Sequence, residues 1–415
     1  MSATHLADGA NLYRIDLTGQ DIHGEAATLR ERGPITGVDL SGVAVWWATD
    51  QALIKNLLTD PRISRDTYRH WPAWENGESE LARTWPLGHW VADRNMVAAY
   101  GDEHKRLRSL VAKAFTGRRT VEMGPRVQAI ATDLVDALDR HPSGTVVDLR
   151  AEFCHPLPVR VISDLLGVPD RLRAGLLDAI NAIMNTTATA EEAEAALALV
   201  YDRMIELIAA KRAEPGEDLT SALIEVADQD GSHLTERELV DTVMLMFTAG
   251  HETTVNLFDH AVCLLLTHPE RLAAVRAGRL AWDDVIDEVL RLEAPFTNIP
   301  MRYAIEDLEI AGVVIAKGDP IVVSFSAAGR DPRVHGDTAD HFDPTRETRR
   351  EHIAFGHGVH HCLGAPLARM EARTGLPMLL DRFRDLELAD PGALPPPLES
   401  FVSNGHRRLP VVLTR

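Results

Sequence analysis

The longest regular feature of the chain is a run of apolar residues at helical spacing between positions 236 and 267. Leu239, Val240, Val243, Met244, Leu245, Met246 and Phe247 precede its middle, and Leu257, Phe258, Val262, Leu264 and Leu265 follow it. Thr235 and Glu238 form a capping box at its start, each side chain satisfying the other residue's free N–H. Pro269 closes the run after Thr267 and His268, because proline has no N–H and its ring collides with the preceding turn. The pattern predicts one helix of about 32 residues, roughly 48 Å long at 1.5 Å per residue. A helix apolar on most sides belongs inside a large protein. Its centre, TAGHETTVN at 248–256, breaks the rule with a glycine, an acid and two threonines in mid-run.

The rest of the chain reads around that helix. GEAATLRERGP predicts a helix ended by Gly33-Pro34, VAVWWA at 43–48 a strand, and 50–58 another helix. From 104 to 300 the periodicity is mainly helical, with breaks at HPSG (141–144), EPGED (214–218) and DQDGS (228–232). TTATA (186–190) separates two helices. Residues 307–325 carry β-branched runs broken by Gly312 and Lys317-Gly318-Asp319, a hairpin pattern, and LPVVL at 409–413 is a further short strand. Residues 70–98 are irregular and hold Trp71, Trp74, Trp85 and Trp90, either as anchors to the core or as an aromatic wall for an apolar ligand. No repeat, linker or composition break divides the chain. The expected architecture is a single domain over 1–415, with 1–20 as an N-terminal extension, mainly α with a minor β portion.

Composition narrows the function. At 45% apolar and 25% charged residues, the 415-residue chain can bury a large core. A formal net charge of −19 argues against binding nucleic acid or anionic lipid, both of which need basic surfaces. No apolar run reaches 18 residues, and MSATHLADGANLYRIDL lacks the basic start and apolar stretch of a signal peptide, so a soluble cytoplasmic protein is expected. The three cysteines exclude a disulfide framework and fit a reducing compartment. Cys154 and Cys263 lie among apolar neighbours and read as buried core thiols.

Cys362 differs. It lies in FGHGVHHCLG (355–364), between three glycines and a helix-like APLARMEAR. Glycine allows close approach of a flat ligand, and a helix N-terminus favours a thiolate. The spacing F-G-x-G-x-H-x-C-x-G resembles the haem-binding loop of the cytochrome P450 family, with Cys362 in the place of the axial thiolate. Ala249-Gly250-His251-Glu252-Thr253-Thr254 resembles that family's oxygen-binding stretch, Glu288-Val289-Leu290-Arg291 its E-x-x-R motif, and Arg346 in FDPTR the third member of the same charge cluster. E-x-x-R alone carries no information. The ordered set, spanning about residues 20–413, is specific.

The resemblance implies a P450 fold with the long helix over a haem b, and a monooxygenase that uses O₂ to hydroxylate or epoxidise a hydrophobic substrate. Phe355, Gly356, His360, Cys362 and Gly364 would build the haem loop. Ala249 and Gly250 would lie against the haem, Gly250 leaving room for O₂ above the iron, while Glu252 and Thr253 form a proton relay and His251 points away. His104, Arg108, Arg302 and His360 would meet the propionates. Glu288, Arg291 and Arg346 would be a structural cluster shaping the loop. The substrate pocket would take Trp90, Met96 and Val97, then Leu245, Thr248 and Ala249, then Phe296, Thr297 and Asn298, and Phe401 and Val402 from the tail. This lining suits a polyketide, terpenoid or steroid, with the Trp-rich loop and the segment near TTATA as a lid.

No flavin or nicotinamide module follows Cys362, so a separate ferredoxin and its reductase are the expected electron donors. Residues 104–119, HKRLRSLVAKAFTGRR, carry six Lys or Arg and no acid, and Arg349, Arg350, Arg369 and Arg373 flank the cysteine loop. Together they predict a basic docking face. Two positions depart from the family pattern: Tyr100-Gly101-Asp102 replaces an Asp-Pro-Pro, and His335 replaces a phenylalanine. Three other readings compete. A zinc site could use His352, His357, His360, His361 and Cys362, but the stretch lacks a second pair of ligands. A haem sensor needs no Glu252–Thr253 pair. A peroxide-driven or isomerising enzyme on the same fold is the third.

Overall fold

The computed structural model describes residues 4–6, 12–173, 175–228 and 234–414. Most of DQDGS, and part of the segment expected as an N-terminal extension, lie outside the described residues. Within that segment Tyr13–Arg14 pairs in parallel with Val38–Asp39, adding a strand to the main sheet.

The long helix is Glu236–Thr267, 32 residues, with the capping box formed as expected: Glu238 N–H donates to Thr235 Oγ1 (3.3 Å) and Thr235 N–H to Glu238 Oε2 (2.7 Å). His268 ends it, and Pro269–Arg276 starts a new helix at once. Most of the long helix is buried in the largest of three apolar clusters. Helices Gly124–Leu138, Pro156–Leu166, Ala190–Ala213 and Ala365–Arg382 form the same layer, and all but Gly124–Leu138 pack directly on it. Gly375 lets the last of these come close: a Cβ there would stand 2.8 Å from the Phe258 ring.

A six-stranded mixed sheet lies beside this helical mass. Its order is Tyr13–Arg14, Ile35–Leu40, Val43–Ala48, Pro320–Ser324, Asn298–Ala304, Ile63–Ser64. The predicted hairpin is Leu308–Ile310 against Val313–Ile315, turning through Ala311 and Gly312, both at positive φ. The tail strand Pro410–Leu413 pairs with Thr145–Asp148 and Glu387–Leu388. TTATA does separate two helices, Leu176–Met184 and Ala190–Ala213.

The tryptophan-rich region resolves mostly toward the core. Trp71 stacks on Trp74 (5.5 Å between centroids) and on Tyr303 (5.6 Å) and meets Trp85 edge-on; all three tryptophans are buried. Only Trp90 of the four keeps accessible surface. The other three therefore anchor the loop and cannot wall a ligand.

No helix among the described residues is long and apolar enough to cross a membrane.

Candidate active site

Cys362 sits just before helix Ala365–Arg382, on a loop bent by Gly356 and Gly358 at φ of 76° and 71°. A Cβ on Gly358 would stand 2.9 Å from the Leu58 carbonyl oxygen, so only glycine lets the loop lie against the helix Gln51–Thr59. Cys362 N–H donates to Phe355 O (2.7 Å), closing the loop on itself. The Cys362 side chain is exposed. Surrounding protein pushes its thiol pKa up by desolvation, while the N–H groups of Gly364 and Ala365 and the charge of Arg108 pull it down.

Beside this loop the fold gathers basic side chains. The His104 and His360 rings lie 4.2 Å apart, and Arg108 donates to His361 O (2.7 Å). Arg302 is buried, and its Nη1 has no partner. Arg65, which the sequence reading missed, donates Nη2 to Pro300 O (3.0 Å) and leaves its own Nε unmatched, as His104 leaves Nε2. His360 is held neutral, its pKa pushed down to about 2 by burial and by Arg65, His104, Arg302 and Arg108 around it. Among the described residues no ion pair joins a carboxylate to Arg65, Arg302, His104 or His360. Orphaned buried donors of one sign are costly unless an anion meets them. A flat ligand with anionic edge groups fits this cradle.

At its middle the central helix keeps open surface at Leu245, Met246, Thr248, Ala249, Gly250 and Thr253, Ala249 the most. Thr253 Oγ1 donates to Ala249 O (3.0 Å), and Thr248 Oγ1 to Met244 O (2.9 Å). Gly250 has a packing role that the sequence does not show. A Cβ there would stand 2.8 Å from Ile162 Cδ1, so the glycine also serves close packing against helix Pro156–Leu166, while it keeps accessible surface of its own. Ala249 and Thr253 face the open space. His251 is buried against Phe247, whose carbonyl lies 3.0 Å from its Nδ1.

Glu252 turns into the protein. Its Oε1 takes Arg150 Nη2 (3.1 Å) and Ser403 Oγ (3.4 Å). Arg150 also holds Asn256 (3.0 Å) and Asp259 (3.1 Å) through Nη1. The sequence does carry a signal for this missed arginine. Glu252, Asn256 and Asp259 fall four and three residues apart on one face of a buried helix, and two buried acids there demand a cation.

The expected pocket is only partly formed by the predicted residues. Trp90 and Phe296 meet at 5.8 Å between ring centroids, and both keep accessible surface, as does Val97. Ile299, not anticipated, is accessible as well. Met96 is almost wholly buried. Thr297, Phe401 and Val402 are fully buried, and Asn298 nearly so. Thr297 Oγ1 donates to Phe401 O (2.7 Å), Asn298 Nδ2 to the same carbonyl (2.6 Å), and Thr297 N–H to Val402 O (2.8 Å). These contacts fasten the tail to the strand Asn298–Ala304 and commit the Thr297 hydroxyl proton and the Asn298 Nδ2 donor there, and the four side chains are buried in this structure.

Behind the cysteine loop, Glu288 and Arg291 form a bidentate pair at 2.7 Å for both contacts, each side chain 0% exposed. Arg291 further donates to Gly329 O and Ala339 O (2.6 Å each), and Arg346 Nε reaches Glu288 Oε1 at 3.4 Å. Arg346 also donates to His335 O (2.6 Å), so the departure at position 335 leaves the cluster's backbone contacts intact.

The basic docking face is weaker than its sequence suggests. Arg349 pairs with Asp284 (2.5 Å), Arg350 with Asp287 (3.1 Å), Arg369 with Asp287 (2.6 Å), and Arg373 with Asp283. Lys105 and Arg106 are held by Asp102 and by Glu103 and Glu238. Lys113 is exposed, and no ion pair to it is seen among the described residues. No group of three or more His, Cys, Asp or Glu side chains converges as a metal site among those residues.

Comparison with known proteins places this geometry. A family model described as Cytochrome P450 matches residues 176–278 and 281–408. A 2-hydroxy-5-methyl-1-naphthoate 7-hydroxylase from Streptomyces carzinostaticus is 43% identical over 402 residues, 97% of each chain. A 6-deoxyerythronolide B hydroxylase from Saccharopolyspora erythraea is 38% identical over 365 residues, 87% of this chain and 88% of the relative. Among solved structures, CYP154A1 from Streptomyces coelicolor A3(2) matches with a TM-score of 0.91 at 50% identity, over 97% of this chain and 100% of the other.

Proposed function

The chain belongs to the cytochrome P450 family and is a P450 monooxygenase, and from that premise we propose that Cys362 is the axial ligand of a haem b that Arg65, Arg302, His104, Arg108 and His360 hold by its two propionates. The family implies haem and O₂. The observation that carries the assignment is the pairing of an exposed thiol at a helix start with a cradle of unmatched buried donors. When bound, thiolate-ligated haem supplies reductive activation of O₂ and cleavage of the O–O bond, which the electron-rich sulfur favours. An absorption spectrum of the reduced protein before and after carbon monoxide tests the ligation. A strongly red-shifted Soret band supports it, and a band at the usual position means a protonated or displaced sulfur and favours the sensor reading.

The residues on the open surface of the central helix define what the protein contributes. Thr253 commits its proton to the Ala249 carbonyl, so its hydroxyl offers lone pairs to the site and holds a water there as acceptor. Glu252 is the nearby acid that resupplies that water. Replacing Thr253 by alanine is expected to divert most of the consumed electrons to hydrogen peroxide while substrate still binds. Product formed per NADH oxidised checks this, and full coupling in the variant defeats the relay.

The substrate is a medium-sized hydrophobic molecule. Trp90, Val97, Leu245, Phe296 and Ile299 supply apolar surface, and Thr248 spends its donor inside the helix, which leaves few polar demands on the ligand. The relatives named for a naphthoate and for 6-deoxyerythronolide B support polyketide-derived rings as the first compounds to screen, by the change of spin state on binding. Terpenoids and steroids follow. Free thiols at all three cysteines support a reducing, cytoplasmic setting.

Electrons reach the site from a ferredoxin and its reductase. With Arg349, Arg350, Arg369 and Arg373 neutralised by acids, Lys113 is the better probe of donor docking than Arg106, which two glutamates hold. Lys113→Glu is expected to slow reduction about three- to tenfold at low salt, with the haem spectrum unchanged. Stopped-flow reduction at two ionic strengths checks this, and equal rates in variant and wild type remove Lys113 from the docking face.

A further inference from the structure

The segment between helices Leu176–Met184 and Ala190–Ala213 is fastened at its start. Thr186 is 2% exposed, and its hydroxyl is used twice: Oγ1 donates to Leu17 O (2.7 Å) and accepts the Phe401 N–H (3.1 Å). The Thr186 N–H adds a bond to Glu399 O (3.3 Å). Leu17 belongs to the segment expected as an N-terminal extension. The chain passes Ser400 there only because position 19 is glycine: at a φ of 61°, a Cβ would stand 2.1 Å from the Ser400 carbonyl oxygen. Phe401 in turn is tied to the strand Asn298–Ala304. One buried side chain thus joins the end of the helix Leu176–Met184 to the N-terminal segment, the tail and the main sheet.

A second fastening, on the preceding turn, is weaker. His89 Nε2 lies 3.2 Å from the Ile183 carbonyl, in a contact only partly buried. That carbonyl belongs to the last turn of the helix Leu176–Met184, where carbonyls have no partner within the helix. His89 therefore caps this helix from the tryptophan-rich segment. Its ring also lies 5.4 Å from that of Trp90, which meets Phe296. The carbonyls of Ile183 and Pro86 both raise the His89 pKa, but burial outweighs them and holds it below the usual histidine value. A neutral imidazole carries a single N–H, so it serves Ile183 or Pro86 and cannot serve both. The bond to Ile183 has a competitor on the loop of His89 itself, whereas Thr186 has its hydroxyl and its N–H committed at once.

We propose that His89 is a positioning residue that shuts the substrate pocket: its bond to Ile183 O holds the loop of Trp90 to the helix Leu176–Met184, and the pocket opens when His89 exchanges Ile183 for Pro86, the helix end turning about Thr186. This rests on reading Trp90 as a wall of the substrate pocket. Trp90 follows His89 in the chain and packs on its ring, so the wall that a substrate touches and the bond that closes the pocket move as one unit. The Thr186 fastening stays intact through the motion, because breaking it would strand a buried hydroxyl and three backbone groups.

Two variants and one exchange measurement test the proposal. His89→Phe keeps a ring against Trp90 without the N–H, and His89→Gln keeps a donor. Stopped-flow binding of 4-phenylimidazole, which coordinates ferric haem and shifts its Soret band, reads the opening. In His89→Phe the association and dissociation rates are both expected to rise about fivefold, the factor carried by one hydrogen bond of ordinary net strength, with Kd changed less than about twofold. His89→Gln stays near the wild type. Unchanged rates in His89→Phe, or rates raised as much in His89→Gln, overturn the latch. Hydrogen exchange gives a readout that needs no haem: wild-type amides at 182–185 exchange faster than those of Thr186 and Phe401, and only the former speed up in His89→Phe. Exchange at Thr186 and Phe401 as fast as at 182–185 removes the pivot, and this comparison decides alone if neither variant folds. No spectral shift with 4-phenylimidazole in haem-loaded wild type counts against the pocket reading itself, and the exchange pattern then tests the latch.

Discussion

Exchanging Cys362 for alanine is expected to abolish the red-shifted Soret band of the reduced, carbon monoxide-treated enzyme and, with it, monooxygenation. The sulfur is accessible, and burial of its surroundings pushes its pKa up while Arg108 and the Gly364 and Ala365 N–H groups pull it down. Coordination to iron removes the proton outright. The loop is built to keep the sulfur in place afterward: the Cys362 N–H is fixed to Phe355 O at 2.7 Å, and Gly358 fits where a Cβ would stand 2.9 Å from the Leu58 carbonyl. Alanine preserves that backbone, so the cradle of Arg65, Arg302 and His360 still collects haem in part. What disappears is the electron donation that favours O–O cleavage. Haem content by pyridine haemochromogen, the carbon monoxide spectrum and product yield separate the three effects. A sulfur-free variant that keeps the red-shifted band would sink the assignment of the ligand.

Arg291→Leu is expected to cost about 3–5 kcal/mol of stability, because it leaves the Glu288 carboxylate buried without its partner. It also strips hydrogen bonds from the carbonyls of Gly329 and Ala339. The loss falls on the segment 329–346 that leads into the cysteine loop, so haem retention drops along with the denaturation midpoint. Arg350→Ala is the control. Its side chain is 65% exposed, and pairs of that kind contribute about 0–1 kcal/mol. Urea titrations of both variants, read by haem absorbance and by tryptophan fluorescence, check the contrast. A cost under about 1 kcal/mol at Arg291 would mean the cluster is dispensable for the fold.

The features legible in the sequence are those set by neighbours in the chain. Thr235 and Glu238 cap the central helix from three residues apart, and Gly312 turns a hairpin between adjacent β-branched runs. The cysteine loop carries its glycines at fixed offsets. The misread positions depend on partners far along the chain. The packing role of Gly250 is invisible until Ile162, 88 residues earlier, comes up against it. Thr297 and Asn298 look like pocket hydroxyl and amide groups until the Phe401 carbonyl claims both. The flanking arginines look like a free basic face until Asp283, Asp284 and Asp287 of helix Trp282–Leu292 meet them. Arg150 and Arg65 lie in unremarkable local sequence, and only the tertiary pairing of segments around positions 150 and 65 with the central helix and the Arg302 strand gives them roles.

The two faces of the central helix have a consequence for how such an enzyme diversifies. Leu245, Thr248 and Ala249 border open space, and no side-chain hydrogen bond ties them to another element among the described residues. Asn256, Asp259 and Glu252, on the buried side, share Arg150, and a change at any one removes part of its pairing. Variation can therefore accumulate on the first set at little expense to folding, while the second set stays fixed. A combinatorial library restricted to Leu245, Thr248, Phe296 and Ile299 samples new substrate shapes on an unchanged scaffold. Substitutions placed at Asn256 and Asp259 are expected to lower stability instead, because they remove buried partners of Arg150. In this protein the catalytic helix is also the boundary between the part open to selection for new chemistry and the part closed to it.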